Sequence, residues 1–267
     1  MTKHKILEWE EQKNYKIKSD FSDFIDNYLS SVTLNKNKVK ILDWDCGRGQ
    51  LVLYLREQGF DAFGVDVDNL PIINGIPLFE TMGYSPSILS LIKTDGQTNF
   101  ENNIFDIVIS NQVLEHIESI DLVIDEIARI TKSGGIGLHI FPARRHLIEA
   151  HLKMPFIHWL PKNIIRKLII YIYVFLKIDP NWEELKGQPI KRKADQYYNY
   201  SISKTFYRSN NYLKKLFQSN GFKCSNNLWF GNKDDKVQNL INITIRTIKN
   251  LFRQTKLIVK KSSINNV

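Results

Sequence analysis

Residues 41–69 read ILDWDCGRGQLVLYLREQGFDAFGVDVDN, and their order decides the fold. An apolar run, Val39 to Trp44, enters the glycine-containing turn Asp45-Cys46-Gly47-Arg48-Gly49. Short apolar runs closed by such turns read as buried strands entering tight loops. Gln50 to Gln58 then sets Leu51, Tyr54 and Leu55 on one helical face, and Gly59 stands where a glycine ends helices. Phe63 to Val67 (FGVDV) is a second strand with Asp66 at its end. Strand, glycine loop, helix and strand make a βαβ unit.

The rhythm continues outward. Ser90 to Lys93 before Asp95-Gly96 is a weak third strand, and Phe105 to Ser110 (FDIVIS) is a strong fourth. Asp121 to Lys132 carries Leu122, Ile124, Ile127, Ala128 and Ile130 in helical spacing, with Gly134 and Gly135 as its stop, and Gly137 to Phe141 (GLHIF) is a fifth strand. Alternating strands and helices predict a mainly parallel sheet covered on both faces, with ligands beyond the carboxyl ends of its strands. After Phe141 comes a His- and Arg-rich stretch, Pro142 to Pro161, then a helix over Asn163 to Ile178. Ser209 to Asn220 is another helix, leading to a strand at Phe222 to Cys224, and Lys256 to Val259 is the terminal strand.

The composition is that of a globular chain: 267 residues, 43% hydrophobic, 24% charged, and only 21 Pro and Gly together. Two cysteines, Cys46 and Cys224, are too few for a disulfide framework or a thiolate metal cage. The opening MTKHKILEWEEQKNYK has no apolar signal core, so a reducing cytoplasm is the expectation. The net charge of +9 conceals an asymmetry: residues 1–143 hold 13 Lys and Arg against 21 Asp and Glu, whereas residues 144–267 hold 24 against 7. A basic half of this kind faces something anionic or is a solvated surface. Leu168 to Leu176 (LIIYIYVFL) is nine apolar residues between basic flanks, well short of the roughly 20 that span a bilayer. It either packs inward or lies in a membrane interface, which would put peripheral contact with the inner membrane at 164–178.

A glycine loop between strand and helix gathers backbone N–H groups for an anionic group, and an acid ending the next strand accepts hydrogen bonds from ribose hydroxyls. Asp66 lies 17 residues beyond Gly49, which points to an adenosine-containing cofactor. The run GRGQLV lacks the third glycine of a dinucleotide fingerprint, so nicotinamide chemistry is disfavoured.

With these residues in register, the chain resembles the class I S-adenosylmethionine-dependent methyltransferases from Val39 to Pro142. Residues 41–69 look like that family's first motif and acidic second strand, and FDIVISNQVLEHI with KSGGIGLHIF looks like its fourth and fifth strands. The resemblance implies S-adenosylmethionine as cofactor. It implies that Asp43 opens the loop, that Gly47 and Gly49 let backbone approach the methionine part, and that Asp66 holds the ribose. Asp95 would bind the adenine amino group in a slot shaped by Gly96 and Val67, and Asn111 would face the amino or methyl side. Asp45 departs from the pattern, since the family has glycine there.

The implied architecture is one Rossmann-like α/β domain, a seven-stranded mostly parallel sheet with an antiparallel last strand. Its parts are an N-terminal helical segment (1–37), the cofactor-binding core (38–142), a basic helical cap insertion (143–208) and a C-terminal helix with the final strands (209–267). Methyl transfer needs the nucleophile aligned within about 3–3.5 Å, and a neutral hydroxyl gains from a base. Three of the six histidines, His146, His151 and His158, fall within 13 residues just after the fifth strand. His151 is the expected base, oriented by Glu149, with His146 in the catalytic group, His158 contacting the acceptor, and Arg144 and Arg145 clamping an anion. His116 reads as a residue packed under the cofactor loop. No metal is expected, because three ligands on one face are not evident from spacing. Asn111-Gln112-Val113 is not the signature of enzymes that methylate base amines, which disfavours nucleic acid, although Lys191 to Tyr200 carries aromatic and basic residues able to stack a nucleotide. The stretch around these histidines is similar to sugar-related members of the family near surface-polysaccharide enzymes. The expected reaction is O-methylation of a small sugar-linked or anionic acceptor from a capsule or surface-glycan pathway. A lipid or quinone at the membrane is the rival acceptor, and a non-catalytic protein binding an anionic partner is the rival class.

Overall fold

The computed structural model describes residues 5–142, 144–225 and 254–262. Of the segment 209–267, positions 226–253 and 263–267 lie outside the described residues. The chain begins with helices α1 (Trp9–Lys13) and α2 (Ser19–Ser31), then alternates β1 (Lys40–Trp44), α3 (Gln50–Glu57), β2 (Asp61–Asp66), α4 (Asn69–Thr81), β3 (Leu89–Leu91), β4 (Phe105–Asn111), α5 (Ile120–Ile130) and β5 (Thr131–Phe141). Helices α6 (Ile164–Phe175) and α7 (Ile190–Ser203) form the cap, and α8 (Asn210–Ser219), β6 (Phe222–Ser225) and β7 (Thr255–Lys261) complete the sheet. The strand order is β3-β2-β1-β4-β5-β7-β6, with β7 antiparallel to both of its neighbours and all other pairings parallel. This is the expected Rossmann-like methyltransferase topology.

Hydrophobic burial is the main stabilising term, and each face of the sheet carries its own core. Ile41, Ile107, Ile109, Leu138 and Ile140 pack against α2, α3 and α4, while Leu42, Val108, Leu257 and Val259 pack against α5 and α8. The cap has a third core around Leu152, Met154, Ile157, Ile170, Val174 and Tyr197.

Three local readings change. The segment 69–81 contains Pro71, Gly75 and Pro77, breakers that conceal a helix from pattern reading, yet it forms α4. Gly75 is there for contact: a Cβ on it would lie 2.2 Å from the Arg48 carbonyl oxygen, so only glycine lets α4 lie against the loop after β1. Helix α5 stops at Ile130, ahead of the expected glycines, because Thr131 is already extended and begins β5. Gly134 and Gly135 instead sit where the β4–β5 register shifts between Phe105 and Ile107. The largest surprise is α6. It buries Arg166, Ile170 and Val174, and leaves Ile164, Ile165, Leu168, Tyr171, Ile172, Phe175 and Leu176 exposed. The Arg166 guanidinium turns inward because it caps carbonyls of the cap itself, donating to Ser201 O at 3.1 Å and to Leu160 O.

His139 of β5 is wholly buried, its Nδ1 2.8 Å from Ser110 Oγ and its ring stacked on Phe217 at 5.0 Å. Burial pushes its pKa from 6.5 down to about 3. The unfolded chain therefore binds the extra proton between those values, so His139 leaves stability intact above pH 6.5 and erodes it as pH falls toward 3. Urea unfolding at pH 6.5 and 4.5 should show the wild type losing about 2 kcal/mol more than a His139→Gln variant over that interval. Equal losses would mean that the site admits the charged ring.

Candidate cofactor and acceptor site

The loop after β1 is built from backbone amides and one carboxylate. Asp45 N and Cys46 N both donate to Val65 O, at 2.8 and 2.9 Å, and tie the loop to β2. The Asp66 carboxylate, with no exposed surface, accepts from Gly47 N at 2.7 Å and from Asp68 N at 2.8 Å. Each oxygen retains acceptor capacity, since a carboxylate oxygen has two lone pairs. Asp45 adopts φ 67°, the left-handed conformation that glycine favours and that Asp tolerates, so the departure from the family pattern keeps the backbone path.

The two glycines do different work. Gly47 has φ 57° and a Cβ there would meet nothing within 4 Å, which leaves open space beside the backbone. Gly49 has φ 79°, and its Cβ would lie 2.8–2.9 Å from Leu89 and Phe79 side chains. The expectation that both glycines open the backbone to the methionine part is corrected here: Gly49 is required by packing of β3 and α4, and Gly47 alone faces free space.

The residues expected to hold adenosine follow β2 and β3 in the chain. Val67 is 69% exposed directly after Asp66, an apolar side chain free to cover a ring. Asp95 is exposed, with Oδ1 accepting from Gln97 N at 3.0 Å, and Gly96 has φ 84° in the same turn. Asp43, buried at the end of β1, has its carboxyl held well above the usual carboxylate range, chiefly by burial and then by the charges of Asp45 and Asp66. Acidic side chains at Asp45 and Asp66 favour a cationic ligand, and S-adenosylmethionine carries both a sulfonium and an ammonium charge. The residues present therefore fit that group.

The N-terminal segment closes over the loop, which pattern reading did not anticipate. Arg48 is buried and pairs through both amino groups with Glu11, its Nη1 at 2.9 Å, while Gln12 donates to Gln50 O at 3.2 Å. Lys18 Nζ donates to Asn111 Oδ1 at 2.9 Å at the carboxyl end of β4, so the Asn111 side chain is held by a cation from the N-terminal segment. The following residue, Gln112, has φ 61° and turns the chain sharply toward Glu115 and His116.

The histidine stretch is arranged differently from its expected roles. Glu149 does not orient the His151 ring. Its Oε2 accepts from the backbone N–H of His151 at 2.8 Å and from that of Leu152, and its Oε1 accepts from Tyr207 Oη. This buried carboxylate, accepting from two amides and a phenol, closes the turn between β5 and the cap, and its bonds go to the backbone of His151 and not to its ring. The carboxylate near His151 is Glu115, with Oε1 3.8 Å from His151 Nε2 and 3.9 Å from His116 Nε2. His116 and His151 have ring centroids 4.7 Å apart. His116 is thus part of this cluster and does not pack under the cofactor loop. His146 Nδ1 bonds to Ile148 O at 3.0 Å, and His158 is buried against Tyr207, burial lowering its pKa so that it is neutral at pH 7. Neither joins the cluster. Arg144, Arg145, Trp159 and Ser209 line a separate cavity of about 470 Å³. The aromatic run Tyr197 to Tyr200 is in α7, with Tyr197 buried in the cap core and bonded to Asp179 at 2.9 Å, which withdraws it from stacking.

Glu115 was legible in one respect only: a carboxylate inside the apolar run Val113-Leu114-Glu115-His116-Ile117 is out of place. Its partner His151 lies 36 residues away, beyond α5 and β5, and no spacing rule joins them. Replacing Asp66 with Asn should weaken S-adenosylmethionine binding about 10- to 100-fold by isothermal titration, the loss expected for one charge-assisted hydrogen bond pair. Undiminished affinity would remove Asp66 from the cofactor site.

Residues 42–138 match the family model described as a methyltransferase domain. Over 148 residues, 53% of this chain and 60% of the relative, the sequence is 26% identical to a ubiquinone biosynthesis O-methyltransferase of Rickettsia canadensis. The chain thus matches about three fifths of that protein's length. Among solved structures it resembles PKMT2 from Rickettsia typhi, with TM-score 0.56, 12% identity and coverage of 93% of this chain and 53% of that one. It also resembles Haemonchus contortus phosphoethanolamine N-methyltransferase 2 in complex with S-adenosyl-L-methionine, with TM-score 0.51, 12% identity and coverage of 91% and 53%. At these identities the structural likeness shows the fold. The match over residues 42–138 identifies this region as similar to a methyltransferase domain, and the loop after β1 has a geometry that fits S-adenosylmethionine.

Proposed function

We propose that the chain O-methylates a hydroxyl of a small acceptor carrying an anionic or sugar-linked group, of the kind found in surface-glycan assembly. The observation behind this reading is a pair of polar sites built from the segments that follow β4 and β5. One is the Glu115, His116 and His151 cluster, and the other is the cavity of Arg144, Arg145, Trp159 and Ser209. Two guanidiniums bind phosphate or carboxylate oxygens bidentately, and an indole stacks on a sugar or base face. Trp159 is fixed for this by its Nε1–H donating to Arg144 O at 2.8 Å.

S-adenosylmethionine supplies a methyl carbon on a sulfonium, attacked in line by the acceptor oxygen. The protein's part is alignment and proton handling. The loop 113–118, which carries Glu115 and His116, is held by the cap: Phe206 N donates to Glu115 O at 2.6 Å, and Arg208 donates to Leu114 O and Glu118 O at 3.2 and 2.6 Å. These bonds set the cluster in place beyond the strand ends, so the acceptor hydroxyl is brought to Glu115, His116 and His151 while its charged remainder lies on the arginines. An Arg144→Ala, Arg145→Ala double variant should raise KM for a phosphorylated or nucleotide-linked sugar at least 10-fold with little change in cofactor affinity. An unchanged KM across such acceptors would sink the anionic-acceptor reading.

A second reading, methylation of a lipid or quinone at a membrane surface, is favoured by α6 and by the quinone-pathway relative. Among the described residues no helix is long and apolar enough to cross a membrane. The exposed apolar face of α6, with Lys177 at its carboxyl end and Lys191 and Arg192 exposed on α7, has the make-up of a helix lying in an anionic interface. In sedimentation with phosphatidylglycerol vesicles, wild type should pellet and a Leu168→Glu, Phe175→Glu variant should bind at least 10-fold more weakly. No pelleting of wild type would leave the water-soluble acceptor standing alone.

A further inference from the structure

We infer that Glu115, His116 and His151 form a binding site for a first-row divalent cation that receives the acceptor hydroxyl, an inference that rests on the O-methylation reading above. Three observations carry it. Both carboxylate oxygens of Glu115 are buried and make no hydrogen bond, although the residue is only 2% exposed. A buried carboxylate without a hydrogen-bond partner is strongly disfavoured, and such groups are retained where a cation completes them. His151 Nε2 is likewise buried without a hydrogen bond and aims at the same point.

The third observation concerns which nitrogen of His116 is available. Its Nδ1 lies 2.6 Å from the carbonyl oxygen of Lys204, and a carbonyl only accepts, so Nδ1 carries the proton. Nε2 is the nitrogen turned toward Glu115, 3.9 Å from its Oε1. A backbone carbonyl that fixes the tautomer and orientation of an imidazole in this way is the usual outer support of a metal-ligating histidine. The carbonyl belongs to the end of α7, so the cap itself aims the ligand.

The donor atoms lie within 4.8 Å of one another. Around a tetrahedral ion at about 2.1 Å they would stand about 3.4 Å apart, a contraction within reach of side-chain rotation. Two imidazoles and one carboxylate suit zinc, iron, manganese or cobalt, and three protein ligands leave at least one position open for an oxygen of the substrate. His116 and His151 keep about a third and a quarter of their side-chain surface exposed, so that position faces the acceptor side.

The chemistry balances with no further reagent. A hydroxyl bound to the cation loses its proton to solvent water more readily, as metal-bound water does. The resulting oxygen anion attacks the methyl carbon, a C–O bond forms, the C–S bond breaks, and its electron pair stays on sulfur, converting the sulfonium to a thioether. Glu115, His116 and His151 thereby serve as ligands, and none of them has to accept the proton.

The test is isothermal titration of the chelator-treated full chain with zinc chloride, with cobalt chloride and visible absorption as a second probe. Wild type should bind one zinc per chain at micromolar concentration or tighter and give ligand-field bands with cobalt. Glu115→Gln and His151→Ala should each weaken zinc at least 100-fold and abolish the bands. S-adenosylmethionine titrated into the same samples separates the two failures. Cofactor binding together with zinc affinity equal in wild type and variants overturns the metal site alone, whereas no cofactor binding by wild type overturns the methyltransferase reading itself. Should Glu115→Gln fail to fold, His151→Ala, with a partly exposed side chain, carries the comparison.

Discussion

The buried carboxylate of Asp66 is the constraint on which the rest of the molecule turns. It ends β2, yet it binds Gly47 N of the loop after β1 and Asp68 N at the entrance to α4. One buried side chain therefore fixes two consecutive strand ends and the start of a helix. Because the loop is held from that side, Gly47 can leave its other side open, and Gly49 can accept Leu89 and Phe79. Helix α4 then approaches so closely that only glycine fits at position 75. The cofactor site follows from a packing solution, and the same glycines that a motif would count alike serve one opening and one closure.

The first half of the chain was legible because its signals are local. Apolar runs ended by Asp45 to Gly49, by Asp66 and by Asn111 mark strand ends, and strand ends are where an α/β sheet builds its site. The N-terminal segment was not legible in this sense. Its helices read as helices, but the pairing of Glu11 with Arg48 and of Lys18 with Asn111 spans 37 and 93 residues. Such pairs depend on where a helix lands, which composition does not encode.

The cap shows the opposite failure, a clear local pattern with an inverted meaning. Leu168 to Leu176 reads as a buried helix by hydropathy, and burial is the usual fate of such a run. Arg166 reverses it: its guanidinium needs acceptors, and the last turn of α7 and the 157–160 turn supply the carbonyls of Ser201 and Leu160. Once Arg166 points inward, the opposite face of α6 must carry the leucines and isoleucines outward. An exposed apolar patch of this kind is uncommon on a soluble monomer without a partner surface.

The histidine stretch makes a related point about inferring chemistry from proximity in sequence. Glu149 and His151 are two residues apart, and that nearness suggested a base and its orienting acid. In this turn, however, the Glu149 carboxylate reaches the backbone amides two and three residues on and not the ring, much as Asp and Asn do in Asx-turns. Glu149 stays with the amides of His151 and Leu152 and with Tyr207, and in doing so presents the His151 ring to the other side of the cleft. There the ring meets Glu115, which arrives on a different strand end. The carboxylate close in sequence sets the backbone, and the distant one meets the ring. Glu115 has neither an amide nor a hydroxyl to answer it, and the groups it does meet are the imidazoles of His116 and His151, brought to it from opposite ends of the α5–β5 unit.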